Sequence, residues 1–227
     1  MLPLQGNNFL DVEQKINSYI EHTLLKVDTT QTDVKRLCEE ATQHSFAAVC
    51  IPPPFVREAR RSLGEMSKVK IVTVVAFPMG YSALPAKTEE IKRAVDEGAD
   101  EIDGVLNIAA VKSGLWNIVE NDIEGMAFAC NLKGKPLKLI LEMGLLSLEE
   151  LERVVQLAHQ SRVKFLKTST GMHGHPTTPE MVRVLRKMAD PALKIKASGG
   201  IKTLEVAQQL LQAGADRIGT SSALQFL

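Results

Sequence analysis

The sequence predicts an α/β chain folded as a single (β/α)8 barrel, and three observations predict it. Short runs rich in Val and Ile, apolar on both faces, alternate with amphipathic segments from near the start to the end. Such runs read as strands buried in a parallel sheet. Eight strand–helix units can be counted, and right-handed crossovers between them give a parallel sheet that closes on itself. The joint 98-GADEI-102 recurs as 214-GADRI-218 ahead of the fourth and eighth strands, as two similar half-barrels would show. No Pro-, Gly- or Ser-rich linker divides the 227 residues, so one domain spanning 1–227 is expected. The alternative, an open doubly wound sheet, is disfavoured because no GxGxxG follows the first strand.

In chain order, an extra helix is expected around 10–18, followed by the first strand, 20-IEHTLL-25. Val34, Leu37, Cys38 and Ala41 then fall at i, i+3, i+4 and i+7 of a helix. The second strand, 46-FAAVCI-51, is stopped by three prolines. The third and fourth are 70-KIVTVVAF-77 and 101-EIDGVLNI-108, and the fifth is 137-LKLILE-142. Ser147 and Glu150 form a capping box for a helix striped by Leu148, Leu151, Val154, Val155 and Ala158. The sixth strand is 163-VKFLKTS-169, and Thr178-Pro179-Glu180 places a cap before a proline at the first helical position. The seventh strand, 193-LKIKAS-198, leads to a helix carrying Leu204, Ala207, Leu210 and Leu211 and ending at Gly214. The eighth is 217-RIGTS-221. Five residues follow Ser222, too few for a full helix of about ten or more, so a stub is expected there.

Composition narrows the function classes. There are 27 basic and 27 acidic side chains, no net charge, and 44% hydrophobic residues, values typical of a soluble globular domain. A disordered chain would need low hydrophobicity and high net charge. Nucleic acid is an unexpected partner, because phosphate contacts need a surplus of Lys and Arg. No run of about 18 apolar residues is present for a membrane, and the opening lacks the basic and apolar parts of a signal peptide. Cys38, Cys50 and Cys130 are scattered without CxxC spacing, which points to a reducing, cytoplasmic compartment.

In a barrel of this kind chemistry sits at the C-terminal ends of the strands. Four polar residues inside apolar runs stand out: Glu21, Asp103, Lys167 and Lys196. A lone strand lysine usually snorkels to the rim, but here two neighbouring strands carry one each. Strands lie about 4.8 Å apart, so inward lysines at one height repel. Repulsion and desolvation both lower an amine's pKa, leaving a neutral nucleophile suited to a Schiff base. Asp103 is the matching proton-relay carboxylate, with a plain salt bridge as the alternative. Gly171, Gly199, Gly200 and Gly219, with Ser221 and Ser222, cluster at the ends of the last three strands. Backbone N–H groups and hydroxyls there suit a phosphate better than three coincidental turns do. His173 and His175 have HxH spacing without a third ligand nearby in sequence, so a solvated loop is expected and no metal. Cys50 lies in a strand, where a buried thiol is the default.

These residues resemble the deoxyribose-phosphate aldolase family, class I (Schiff-base) aldolases. The resemblance runs from Ile20 to Ser222 and rests on 22-HTLLK-26, 48-AVCI-51, 97-EGADEID-103, 111-VKSG-114, 166-LKTSTG-171 and 196-KASGGIKT-203. It implies reversible cleavage of 2-deoxy-D-ribose 5-phosphate into glyceraldehyde 3-phosphate and acetaldehyde, with no cofactor. By position it makes Lys167 the Schiff-base lysine, Lys196 its pKa-lowering neighbour, and Asp103 and Glu21 catalytic carboxylates. The phosphate cradle would be Gly171, Gly199, Gly200, Gly219, Ser221 and Ser222, with Thr23, Cys50 and Thr170 beside the sugar chain. The chain departs from the family pattern at Glu21, where Asp is usual, at Met143, where a small polar residue is common, and in 172-MHGHPTTPE-180. These departures keep two alternatives open: another phosphorylated sugar as substrate, or a catalytically impaired phosphosugar-binding barrel. A homodimer or larger homo-oligomer, paired through an apolar helix face, is also expected.

Overall fold

The computed structural model describes residues 16–227. The helix expected at 10–18 lies largely outside the described residues, which show only Ile16 and Asn17 in helical conformation. Eight strands follow: β1 (Ile20–Thr23), β2 (Ala48–Ile51), β3 (Lys70–Val75), β4 (Glu101–Val105), β5 (Leu137–Ile140), β6 (Phe165–Lys167), β7 (Lys194–Ser198) and β8 (Arg217–Thr220). They pair in sequence order into a closed barrel, and every pair, β8 to β1 included, is parallel. The helices between them are α1 (Gln31–Gln43), α2 (Val56–Leu63), α3 (Leu84–Asp96), α4 (Ile108–Lys112), α5 (Trp116–Leu132), α6 (Leu148–Gln160), α7 (Pro179–Met188) and α8 (Leu204–Gln212). After β8 comes a single 3-10 turn, Ala223–Phe226, in place of a helix.

Local sequence starts these helices where expected. Ser147 accepts from the Glu150 amide while the Glu150 carboxylate accepts from the Ser147 amide. Thr178 accepts from the Met181 amide ahead of α7. The repeated GAD joint is a matched pair in space. Asp100 accepts from the Ile71 amide at 2.9 Å, and Asp216 accepts from the Ile195 amide at 2.8 Å. Gly98 and Gly214 both hold φ near +110°, and each packs against an arginine stem, Arg60 and Arg186. A Cβ at Gly214 would meet Arg186 Cγ at 2.9 Å. The two half-barrels thus close their fourth and eighth strands with the same device.

Alternation along the strands sorts two cores. The outward set, including Ile51, Ile71, Ile102, Leu139 and Ile195, joins the apolar faces of the helices in one large cluster. The inward set divides further. On β2 and β3 it is Ala48, Cys50, Val72 and Val74, a small separate apolar cluster. On β4 to β8 and β1 it carries the buried charges, Glu21, Asp103, Lys138, Lys167 and Lys196. No described helix is long and apolar enough to cross a membrane.

Candidate active site

Strand register sets the charged residues side by side. Lys167 on β6 is the Cα partner of Lys196 on β7, and Asp103 on β4 is the partner of Lys138 on β5. Asp103 Oδ2 accepts from Lys167 Nζ at 2.8 Å and from Lys196 Nζ at 2.7 Å. Its other oxygen accepts from Lys138 Nζ at 3.0 Å. Glu21 reaches across from β1 to bond Lys196 directly, and its second oxygen lies 3.3 Å from Lys138 and 3.6 Å from Arg217.

The sequence reading expects one amine beside a second ammonium, and the carboxylates around Lys196 decide its charge. Burial does push the Lys196 ammonium down, but Asp103 and Glu21 beside it more than reverse that, and its pKa rises. Lys138 rises in the same way, with burial again opposed by Asp103 and Glu21. Burial would raise Asp103, yet Lys138, Lys167 and Lys196 together hold it well below the usual carboxylate range. Glu21 is lowered against burial by Lys138 and Lys196. Lys196 is therefore a fixed ammonium beside Lys167.

Above this layer opens a cleft of 350 Å³ at the C-terminal ends of the strands. Thr23, Lys167, Thr170, Gly171, Lys196, Gly199, Gly200, Gly219, Ser221 and Ser222 all line it, so the structure brings together ten residues read from sequence. Asp103, Glu21 and Cys50 lie fully buried and are not among the lining residues. Glu21 is spent on lysines rather than aimed at a ligand. Cys50 sits in the apolar wall, and burial raises its thiol pKa. Its sulfur and one oxygen each of Glu21 and Asp103 lie within 4.8 Å of one another, but lysine ammonium groups already take those carboxylates.

The glycines differ in what they do. Gly199 holds φ +99°, and a Cβ there would lie 2.5 Å from Ser169 Oγ. Gly200 holds φ +74°, with a Cβ 2.7 Å from Pro176 Cβ. Both need glycine to turn the chain against its neighbours while leaving amides at the cleft. Gly219 is different. A Cβ there would meet Lys196 Cε at 2.8 Å, so it makes room for the Lys196 stem.

Two residues of the site escaped the sequence reading, and a third was expected elsewhere. Lys138 is a third buried strand lysine. Glu142, in left-handed conformation (φ 51°, ψ 58°) after β5, is 1% exposed. Its Oε2 accepts from the Thr170 amide at 3.0 Å and from the Thr170 hydroxyl, fixing that side chain at the cleft. His173, expected in a solvated loop, has Nδ1 3.1 Å from the same oxygen and is only a quarter exposed. His175 stays exposed.

The profile of the DeoC/LacD family of aldolases matches residues 17–226. A deoxyribose-phosphate aldolase of Geobacillus sp. (strain WCH70) is 42% identical over 217 residues, 95% of this chain and 96% of that protein. One from Thermococcus gammatolerans is 41% identical with the same coverage. The solved structure of a tetrameric deoxyribose phosphate aldolase from Aeropyrum pernix superposes with a TM-score of 0.86 at 31% identity, covering 94% of this chain and 89% of that one. With the barrel and its paired lysines in place, a match over nearly the whole described length shows that this chain belongs to the DeoC/LacD family of aldolases, carbon–carbon lyases.

Proposed function

We propose that this chain reversibly cleaves 2-deoxy-D-ribose 5-phosphate to D-glyceraldehyde 3-phosphate and acetaldehyde through a Schiff base on Lys167. The observation that carries the reading is Lys167 Nζ at the floor of the cleft, 2.8 Å from Asp103 and beside Lys196, whose own carboxylate partners favour its ammonium form. The lysine must attack as a free amine. Among the described residues, Lys167 has one carboxylate within 4.0 Å, Asp103, whereas Lys196 has two and Lys138 three.

The amine adds to the aldehyde carbon of the open-chain sugar, and loss of water gives an iminium. The iminium draws electrons from the bond between the second and third carbons. That bond breaks as the C3 hydroxyl proton leaves to a base, here Asp103 through a water. Glyceraldehyde 3-phosphate departs, and the remaining enamine is protonated at carbon two and hydrolysed to acetaldehyde and free Lys167. Gly199, Gly200, Ser221 and Ser222 at the far side of the cleft would hold the phosphate by amides and hydroxyls. Thr170, held by Glu142, would meet a sugar hydroxyl.

Borohydride reduction in the presence of acetaldehyde, followed by peptide mass mapping, should place an ethyl adduct on Lys167. A folded protein with no label there overturns the mechanism. A panel of sugar phosphates should rank deoxyribose 5-phosphate first by a wide margin. Self-association through α5 is part of the reading, supported by exposed Phe128 and Leu132 and by the tetrameric relative. Light scattering at micromolar concentration tests it. Three free cysteines support a reducing, cytoplasmic location.

A further inference from the structure

At the opposite, N-terminal mouth of the barrel is a second hollow of 500 Å³. It is lined by the first residues of four strands, Glu101, Phe165, Lys194 and Arg217, and by Lys135 and Lys164 from the joints ahead of β5 and β6. Four cations thus converge on a space with one carboxylate. That carboxylate is already committed, because Glu101 Oε2 lies 2.6 Å from Lys138 Nζ inside the barrel. Its other oxygen is 4.0 Å from Arg217. Among the described residues, the one ion pair of Lys135 is with Asp100, at 3.6 Å. Lys164 and Lys194 make no ion pair within 4.0 Å among the described residues.

Arg217 joins the mouth to the lumen: its Nη1 is buried and turned inward, 3.6 Å from the nearest Glu21 oxygen and without a hydrogen-bond partner, while the residue lines the hollow. The Phe165 ring gathers what compensation it can, with Lys194 at 5.6 Å, Lys138 at 5.7 Å and Arg217 at 6.0 Å from its centre. One aromatic face is a weak counterweight to three cations. A concave surface of one sign focuses field and raises the local concentration of the opposite ion.

We infer that this mouth is an anion site separate from the catalytic cleft, built for a compact polyanion of the pyrophosphate class. The lysines and the guanidinium come from separate elements and supply charge-assisted donors around the space. Four cations against one carboxylate among the lining residues leave a surplus of three positive charges, which suits two linked phosphoryl groups better than one. The recognition is by side chains, unlike the glycine amides of the cleft.

Titration calorimetry with inorganic pyrophosphate, on the wild-type chain and on a Lys164→Ala/Lys194→Ala variant, tests this. Both lysines are exposed, so the variant keeps the fold, which circular dichroism confirms. Saturable binding in the wild type, weakened at least tenfold in the variant, is expected. The same isotherm in both proteins would assign the anion to the cleft and overturn the site, as would no binding to the wild type. The readout needs no catalytic turnover, so it stands apart from the proposed aldolase reaction.

Discussion

Gly219 and Lys138 show how much a single position carries in this barrel. Because a Cβ at Gly219 would press on the Lys196 stem, Gly219→Ala should displace an ammonium at the floor of the cleft. We expect kcat to fall about tenfold, or ~1.4 kcal/mol of barrier. Steady-state kinetics on deoxyribose 5-phosphate measure it, and an unchanged kcat would show that the lysine stem simply yields. Lys138 answers to three carboxylates at once. Lys138→Met leaves them buried and short of a cation, a loss of about 3–5 kcal/mol by analogy with broken buried ion pairs, readable by urea denaturation. Lys138 stands in 137-LKLILE-142 as plainly as Lys167 stands in its own run, yet a lone strand lysine also reads as a rim residue. Only the β4–β5 register, which sets it opposite Asp103, separates the two readings. Glu142 was harder still. Its role depends on a left-handed backbone turn that no glycine or asparagine announces.

Among the elements, those read most easily from sequence are the ones whose ends are written locally. The Ser147–Glu150 box sits where the spacing put it, and Ser147→Ala should cost ~1 kcal/mol. A thermal melt would show this as a fall of about 2–4 °C for a chain of this size. Helices α3 and α5 are less legible because their buried faces are not purely apolar. Lys87 and Asp122 are both buried, and the lysine donates to Asp122 at 2.7 Å and to the Val105 carbonyl at 2.9 Å. Burial lowers the pKa of Lys87 and raises that of Asp122, so both shift toward their neutral forms. A polar residue on each stripe breaks the helical pattern in one dimension and restores it in three. Asp122→Leu alone should destabilise by about 3–5 kcal/mol, and adding Lys87→Met should recover most of it. Chemical denaturation of the two variants decides; a double variant no better than the single would mean the pair is not acting as a unit.

For the molecule as a whole, the ionic lumen sets the pH range over which the barrel holds. Asp103 and Glu21 have depressed native pKa values, so their contribution is present above the unfolded carboxylate range of about 4. It is lost as pH falls toward the native values. Lys138 and Lys196 have raised values. Their contribution is complete below about 10.4, the unfolded lysine value, and is lost as pH rises through the native ones. Urea midpoints should therefore form a plateau from about pH 5 to 10 and drop on both sides. A Lys196→Met variant should lose much of the alkaline slope, and a midpoint constant from pH 3 to 11 would contradict the assignment. The closed eightfold topology was legible because strand count, spacing and the GAD repeat are properties of the linear chain. The ion column was legible only in part, because which carboxylate neutralises which lysine is decided by strands far apart in sequence.

The small apolar cluster of Ala48, Cys50, Val72 and Val74 insulates one side of the ion column. Cys50 Sγ lies within 4.8 Å of oxygens of Glu21 and Asp103, and the cluster keeps solvent from that flank. Dissolved salt screens exposed charges within about 10 Å but reaches buried pairs much less. Salt that weakens a surface pair such as Lys92–Glu89 therefore leaves the bonds of Asp103 and Glu21 largely in place.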